Sequence, residues 1–338
     1  LAVAFGALAP PDRFGATVVV PAALLVIANL ASTFFSLDFP RAGFYLAVTL
    51  YMIALAAFVA SIVARYGPAV LTWIARGFTL AAVLTAGIGV LARFHLIPMA
   101  HLFFRDESGM RIKSTFKDPN VFAPFLVAAA MVTLASLVES RRPRLRDAAA
   151  FALFAVGILL AFSRGAWLHM AVSLAVFAAL HLLVLRRARA RRRLVLSGTV
   201  LAALIVPIAG WLLLGTDLGA YFGERLSFQD YDSERFGAQA LALRVACDNP
   251  LGIGPGQWLD TRFGLSTHNL YLRVLAENGF LGLFALVAFV VASLAHAVRG
   301  VLARTECAGW YVVSLSILVG ILVESLVLDS IHWRQFWL

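Results

Sequence analysis

The sequence predicts an all-α, polytopic transmembrane helical bundle, and three observations carry that prediction. Of its 338 residues 62% are hydrophobic and the mean hydropathy is +0.88, whereas soluble domains are roughly 45–50% apolar. Uncharged apolar runs of ~20 residues, the length a helix needs to cross the hydrocarbon core, recur along the chain. Basic residues gather in short segments between those runs rather than within them.

Taken in order, the clearest runs are 14–37, 42–64, 119–138, 165–185, 194–216 and 278–298. Three weaker ones complete the set: 68–92 with Arg76 near one end, 148–163 just before Arg164, and 307–328 with Glu324 near its end. These predict nine full spans in a single transmembrane domain covering 1–338. Two partial spans flank them, an apolar tail closed by Pro10 and Pro11 and a second one beginning at HWRQFWL. The expectation is the core of a longer chain.

A net charge of +10 in a soluble protein would point to nucleic acid. Here the charge sits in short inter-span loops, where Lys and Arg set orientation instead, and no nucleic-acid partner is expected. Arg141–Arg146, Arg186–Arg193 and the loop bearing Arg299 and Arg304 are predicted to be cytoplasmic. Alternating crossings then leave 38–41, 93–118, the junction at 163–164, the loop 217–277 and the stretch from Asp329 outside. Cys247 and Cys307 fall on opposite sides, so they cannot pair, and neither neighbours a His as a metal site would need.

The external segments 93–118 and 217–277 are far longer than the ~12–15 residues above which a structureless loop tends to be functional. Within the larger one, Asp232-Ser233-Glu234 before RFGAQALALRVA predicts a capped helix of about three turns. NPLGIGPGQW then breaks it with Pro250, Gly252, Gly254, Pro255 and Gly256. A further helix is expected to start near His268 and run into the next span.

Ionisable groups at membrane level are costly and mark candidate sites. Arg164 either marks a hairpin turn and snorkels to water, or offers a planar fork of donors suited to phosphate. His268 has a side chain whose ordinary pKa of ~6.5 suits a base near neutral pH, and His332, near Asp329 and Arg334, is its weaker rival. As a helix at 100° per residue, His268 shares a face with Tyr271, Leu272, Leu275 and Gly279, while Glu277 lies opposite. Gly279 and Gly282 are expected to admit close packing of the next span. Arg225, Arg235, Arg244 and Arg262 populate the large loop. Arg235 and Arg244 are on opposite faces of the predicted helix, and Arg235, at its start, is preferred. Lys117-Asp118-Pro119-Asn120 reads as a helix start, with Asp118 as cap and Pro119 first in the helix. Glu324 and Asp329 form either a buried polar network or a proton path.

The pattern His268-Asn269, nine residues, Gly279, two residues, Gly282 resembles the motif of the O-antigen ligase and Wzy-type polymerase superfamily. FKDPNVFAPFL opening a span, FSRGAWL at a junction, NPLGIGPGQW and VESLVLDSIHWRQFWL resemble it in the same order, over roughly 115–338. The resemblance implies a membrane glycosyltransferase of the bacterial inner membrane with its active site on the periplasmic side. The donor it implies is a glycan on undecaprenyl diphosphate. The acceptor is a lipid A core oligosaccharide for a ligase, taken first, or the growing glycan for a polymerase.

By that resemblance His268 is the catalytic base, Arg164 and Arg235 bind the donor diphosphate, and Lys117, Asn120, Asn269 and Arg244 are further candidates for support. It also implies that no cofactor and no metal are needed. A transporter of lipid-linked glycans is the rival from another class. It would carry polar residues at mid-membrane in paired, interrupted helices, whereas here they cluster near the predicted outer ends of spans.

Overall fold

Each expected apolar run becomes a helix in the computed structural model, which describes residues 13–105, 109–140, 144–185, 188–215, 217–227, 230–258, 266–305 and 307–337. The apolar tail through Pro10 and Pro11, Arg141 and Arg142, Arg186 and Arg187, and Arg262 lie outside the described residues. Of the described residues 79% are helical. No strand forms among the described residues, where one isolated bridge joins Phe104 and Ile112.

The helices are α1 Arg13–Thr33, α2 Phe39–Tyr66, α3 Ala69–Arg93, α4 Pro119–Glu139, α5 Leu145–Leu160 and α6 Arg164–Ala179, which continues into a π-helical stretch Leu180–Leu185. They continue with α7 Ala188–Leu214, α8 Leu218–Leu226, α9 Asp230–Asp248, α10 Leu270–Leu302, α11 Ala308–Glu324 and the short α12 Arg334–Trp337. Among the described residues, 6 helices are long and apolar enough to cross a membrane: α2, α3, α4, α6 with its extension, α7 and α10. Thr17–Thr33 and α11 are shorter apolar helices, and α5 has only 16 residues.

The chain folds as two compact units. The first draws on Leu1–Leu71, Gln229–His296 and Ser325–Leu338, the second on Thr72–Phe228 and Ala297–Glu324.

In the second unit α4 is the axis. Of its most apolar window 72% is buried, against 6% for α7, so α4 is wrapped by protein while α7 faces outward. It packs on α5, α6, α7 and α11. As the sequence predicts, Asp118 caps α4, accepting from Asn120 N at 2.8 Å, and Pro119 opens the helix.

Ser163 caps α6 and donates to Asn120 Oδ1 at 2.9 Å. The starts of α4 and α6 therefore lie at one level, and α5 carries the chain back over the distance α4 has covered. Segment 93–118 is pinned to this end: Ile112 N donates to Leu160 O at 3.2 Å and Ser114 Oγ to Thr85 O at 2.6 Å.

α6 and α11 meet through a fully buried pair, His169 Nδ1 and Glu324 Oε2 at 2.8 Å. Gly320 sits opposite, where a Cβ would run into His169 and Ser173. A second pair, His181 Nε2 and Glu139 Oε1 at 3.2 Å, closes the other end of α6. Removing one member of a buried pair leaves the other without a partner, at ~3–5 kcal/mol. We expect Glu324→Ala to lower the thermal midpoint of the purified protein steeply, and His169→Phe combined with Glu324→Leu to restore most of it. A Glu324→Ala midpoint equal to wild type would show that the pair carries no such load.

Candidate functional site

α10 is the element on which the first unit's site is built. It breaks at Gly279, whose φ of 68° and ψ of −170° are not helical, and a break frees backbone groups that must be paired elsewhere. The 249–258 turn pairs them. Phe280 N donates to Pro250 O at 3.0 Å, while the freed carbonyls of Ala276 and Glu277 accept from Ile253 N at 3.0 Å and Gly254 N at 2.9 Å.

Close backbone approach requires glycine here. A Cβ on Gly279 would strike Pro250 O and come within 2.6 Å of Leu251 C. A Cβ on Gly282 would meet Asn278 of its own helix. The expectation that these glycines admit the next span is thus corrected: Gly279 admits the NPLG turn.

The Glu277 carboxylate completes the joint. It accepts from Gly256 N at 2.8 Å, Trp258 N at 2.9 Å and Arg273 Nε at 3.2 Å. Beneath it Ala242, Ile253, Trp258 and Ala276 form a small apolar core. Gln257 and Asp38 exchange hydrogen bonds at 3.0 and 3.1 Å, tying the turn to the start of α2.

Arg273 was not singled out in the sequence, and it is the centre of this region. Buried, it pairs with Glu277 and with Asp329, and its guanidinium lies 5.5 Å from the Tyr45 ring centroid. Tyr45 in turn meets the His332 ring at 5.2 Å. The available signal was an Arg and a Glu four residues apart at the start of an apolar run, on one helix face. Glu324 and Asp329, considered together in the sequence, belong to separate networks.

Against the cost of burial, the Arg273 charge holds the Asp329 carboxyl below its usual range. Burial, joined by the Arg273 charge, outweighs Asp329 and pushes His332 from 6.5 down to about 4.

His268 lies just ahead of α10 rather than within it. Its φ is 44°, in the left-handed region, and the helix starts at Leu270. The helical-face reading of His268 is thereby corrected. Non-glycine residues adopt this conformation uncommonly, and such strain clusters at functional sites.

Asn269 is buried and structural in its contacts: its Oδ1 accepts from Leu272 N at 3.0 Å, its Nδ2 donates to Leu326 O at 3.0 Å. Leu270 N donates to Ser325 O at 2.9 Å, so the 325–330 segment is bound to the first turn of α10. On α9, longer than the three turns expected, Arg235 is half-buried on the face of Ala238, Ala242 and Ala246, whereas Arg244 is exposed.

The other candidates belong to the second unit. Arg164 opens α6, half-buried, and its Nη1 donates to Ser227 O at 3.4 Å. Phe162 before it has a φ of 49°, so the 161–163 junction is a strained turn, and its ring packs on Trp167, Tyr221 and Phe222. Arg111, also missed in the sequence, reaches Ala161 O at 3.3 Å and Asn120 Oδ1 at 3.4 Å. Asn120 and the Ser163–Arg164 junction are thus brought together, while Lys117 is exposed. Among the described residues no group of three or more His, Cys, Asp or Glu converges as a metal site would, and Cys247 and Cys307 are free thiols.

Fold and side chains define a multi-pass α-helical membrane protein with an ionisable residue of strained backbone, His268, just ahead of one helix and an arginine, Arg164, at the start of another. Residues 149–287 match the family model described as O-Antigen ligase, which assigns this stretch to the O-antigen ligase superfamily. No curated protein matches the chain.

Two outcomes are expected from this geometry. Gly279→Ala forces a side chain against the 250–252 backbone at positive φ, a cost of ~1–3 kcal/mol or more, read as a lower thermal midpoint with faster proteolysis of the 249–258 turn. A midpoint within error of wild type would contradict the joint described. For His332, the unfolded chain takes up the proton first, so stability is intact above pH 6.5 and declines as pH falls toward about 4. His332→Gln should flatten the midpoint-versus-pH curve in that window, and an unchanged slope would refute the buried neutral imidazole.

Proposed function

We propose that the chain is a glycosyltransferase that moves a glycan from undecaprenyl diphosphate to an acceptor sugar hydroxyl at the periplasmic face of the bacterial inner membrane. The observation that carries this is the family match, whose matched residues 149–287 include Arg164, Arg235 and His268 together. The matched description favours the ligase, with lipid A core oligosaccharide as acceptor, over the polymerase that adds to the growing glycan.

In this reading an imidazole nitrogen of His268 accepts the proton of the acceptor hydroxyl as its oxygen attacks the anomeric carbon. The bond from that carbon to the diphosphate oxygen breaks with inversion, and the electron pair leaves with the diphosphate. Arg164 and Arg235 stabilise the developing charge, as preorganised guanidinium groups do without reorganising during the step. Support comes from the strained backbone of His268 at the foot of α10 and from the half-buried setting of both arginines. A lipid tail carrying the donor remains in the bilayer, which suits residues placed at helix starts.

The test supplies purified protein with an undecaprenyl diphosphate glycan and either lipid A core or the growing glycan as acceptor, with product analysed by mass spectrometry. Folded His268→Ala, His268→Asn and Arg164→Ala proteins should transfer at least ~10²-fold more slowly, and chelator should leave the wild-type rate unchanged. Wild-type rates in His268→Ala and Arg164→Ala would sink the assignment. Loss of activity with chelator would overturn the metal-independent mechanism. Extension of the growing glycan alone would make the protein a polymerase, and no turnover of any lipid-linked donor would favour a transporter.

A further inference from the structure

At the end of α6 remote from Arg164, a cavity of about 690 Å³ opens among His181, Leu182, Leu183, Arg191, Arg192 and Val195. Its size falls within the ~300–1,000 Å³ typical of small-ligand sites. Two candidate membrane spans terminate at it, Arg164–Val184 ending and Arg191–Trp211 beginning, so it lies where hydrocarbon gives way to water.

Its wall is formed by the π-helical stretch Leu180–Leu185, a local widening that recurs at functional sites. That stretch is firmly held. His181 is locked by Phe177 O at 3.0 Å and Glu139 at 3.2 Å, and Arg304 Nη2 donates to Val184 O at 3.1 Å.

The lining is chemically divided. Leu182, Leu183 and Val195 present exposed apolar surface, while Arg191 and Arg192 supply two guanidinium groups on the first turn of a span. Paired guanidinium groups match the oxygens of a phosphodiester, and apolar walls at this depth match the upper part of an acyl chain. Basic pockets between spanning helices bind anionic lipid headgroups by this combination. The donor diphosphate is a poor fit to the location, because Arg164 and Val184 are opposite ends of one 21-residue span, about 30 Å apart at ~1.5 Å per residue.

We propose that this cavity is a specific site for one anionic glycerophospholipid, with its phosphodiester on Arg191 and Arg192 and an acyl chain along Leu182, Leu183 and Val195. Native mass spectrometry of the detergent-purified chain, titrated with dioleoyl phosphatidylglycerol or dioleoyl phosphatidylcholine, tests it. One phosphatidylglycerol should be retained per chain at about tenfold lower concentration than phosphatidylcholine, and it should raise the thermal midpoint. Arg191→Ala with Arg192→Ala should abolish the preference. Val195→Trp, on an exposed position, should weaken retention by filling the cavity while leaving both charges. Equal retention of the two lipids, an undiminished preference in the double arginine variant, undiminished retention in Val195→Trp, or full displacement by millimolar inorganic phosphate would overturn the proposal.

Discussion

A helix that breaks at membrane level frees backbone groups that lipid cannot satisfy, and the interior of a bilayer tolerates such a break only where protein covers it. At Gly279 that requirement is met by a single turn. The NPLGIGPGQW segment lends one carbonyl and two amides to the broken stretch, and the Glu277 carboxylate accepts two further hydrogen bonds from amides of the same turn. The 249–258 turn is thereby fixed to α10 chiefly by backbone, with the Glu277 carboxylate reinforcing it. Arg273 extends the joint to Asp329, Asn269 extends it to Leu326, and Gln257 extends it to the start of α2.

The second unit solves a different problem, bringing polar groups to the ends of tightly packed helices without leaving them unpaired. Asn120 accepts from Ser163 and Arg111, and Asp118 serves α4 and pairs with Arg105. Arg164 follows a turn whose strain is held by the Phe162 ring among Trp167, Tyr221 and Phe222. Such a setting fixes the direction of the Arg164 backbone, the preorganisation that its proposed role in charge stabilisation would require.

The helices were legible in the sequence because apolar runs of membrane length have few alternatives, and the cap at Asp118 because Asp-Pro is a local signal. Long-range pairings were not. Periodicity extended a helix through His268, since a pattern of side chains does not register a single left-handed residue ahead of Leu270. It also assigned Gly279 to a neighbouring span, because nothing local reveals that its partner is the backbone of Pro250 and Leu251. Arg273 escaped notice for a related reason: its partner Asp329 lies 56 residues away, and only the fold brings the two together. Glu324 and Asp329, neighbours in the chain, separated into different networks once His169 and Arg273 claimed them.

The shortness of α5 bears on the surrounding lipid. Because Asn120 and Ser163 meet, α5 must return across the thickness that α4 traverses, yet its 16 residues reach only ~24 Å at ~1.5 Å per residue. A typical hydrocarbon core is ~30 Å thick. The mismatch leaves two accommodations, a locally thinned bilayer beside α5 or a polar junction at 161–164 drawn down to acyl depth. Either one brings the bilayer surface and the Arg164 end of α6 closer together, so on the proposed reading hydrophobic length itself becomes a determinant of donor access.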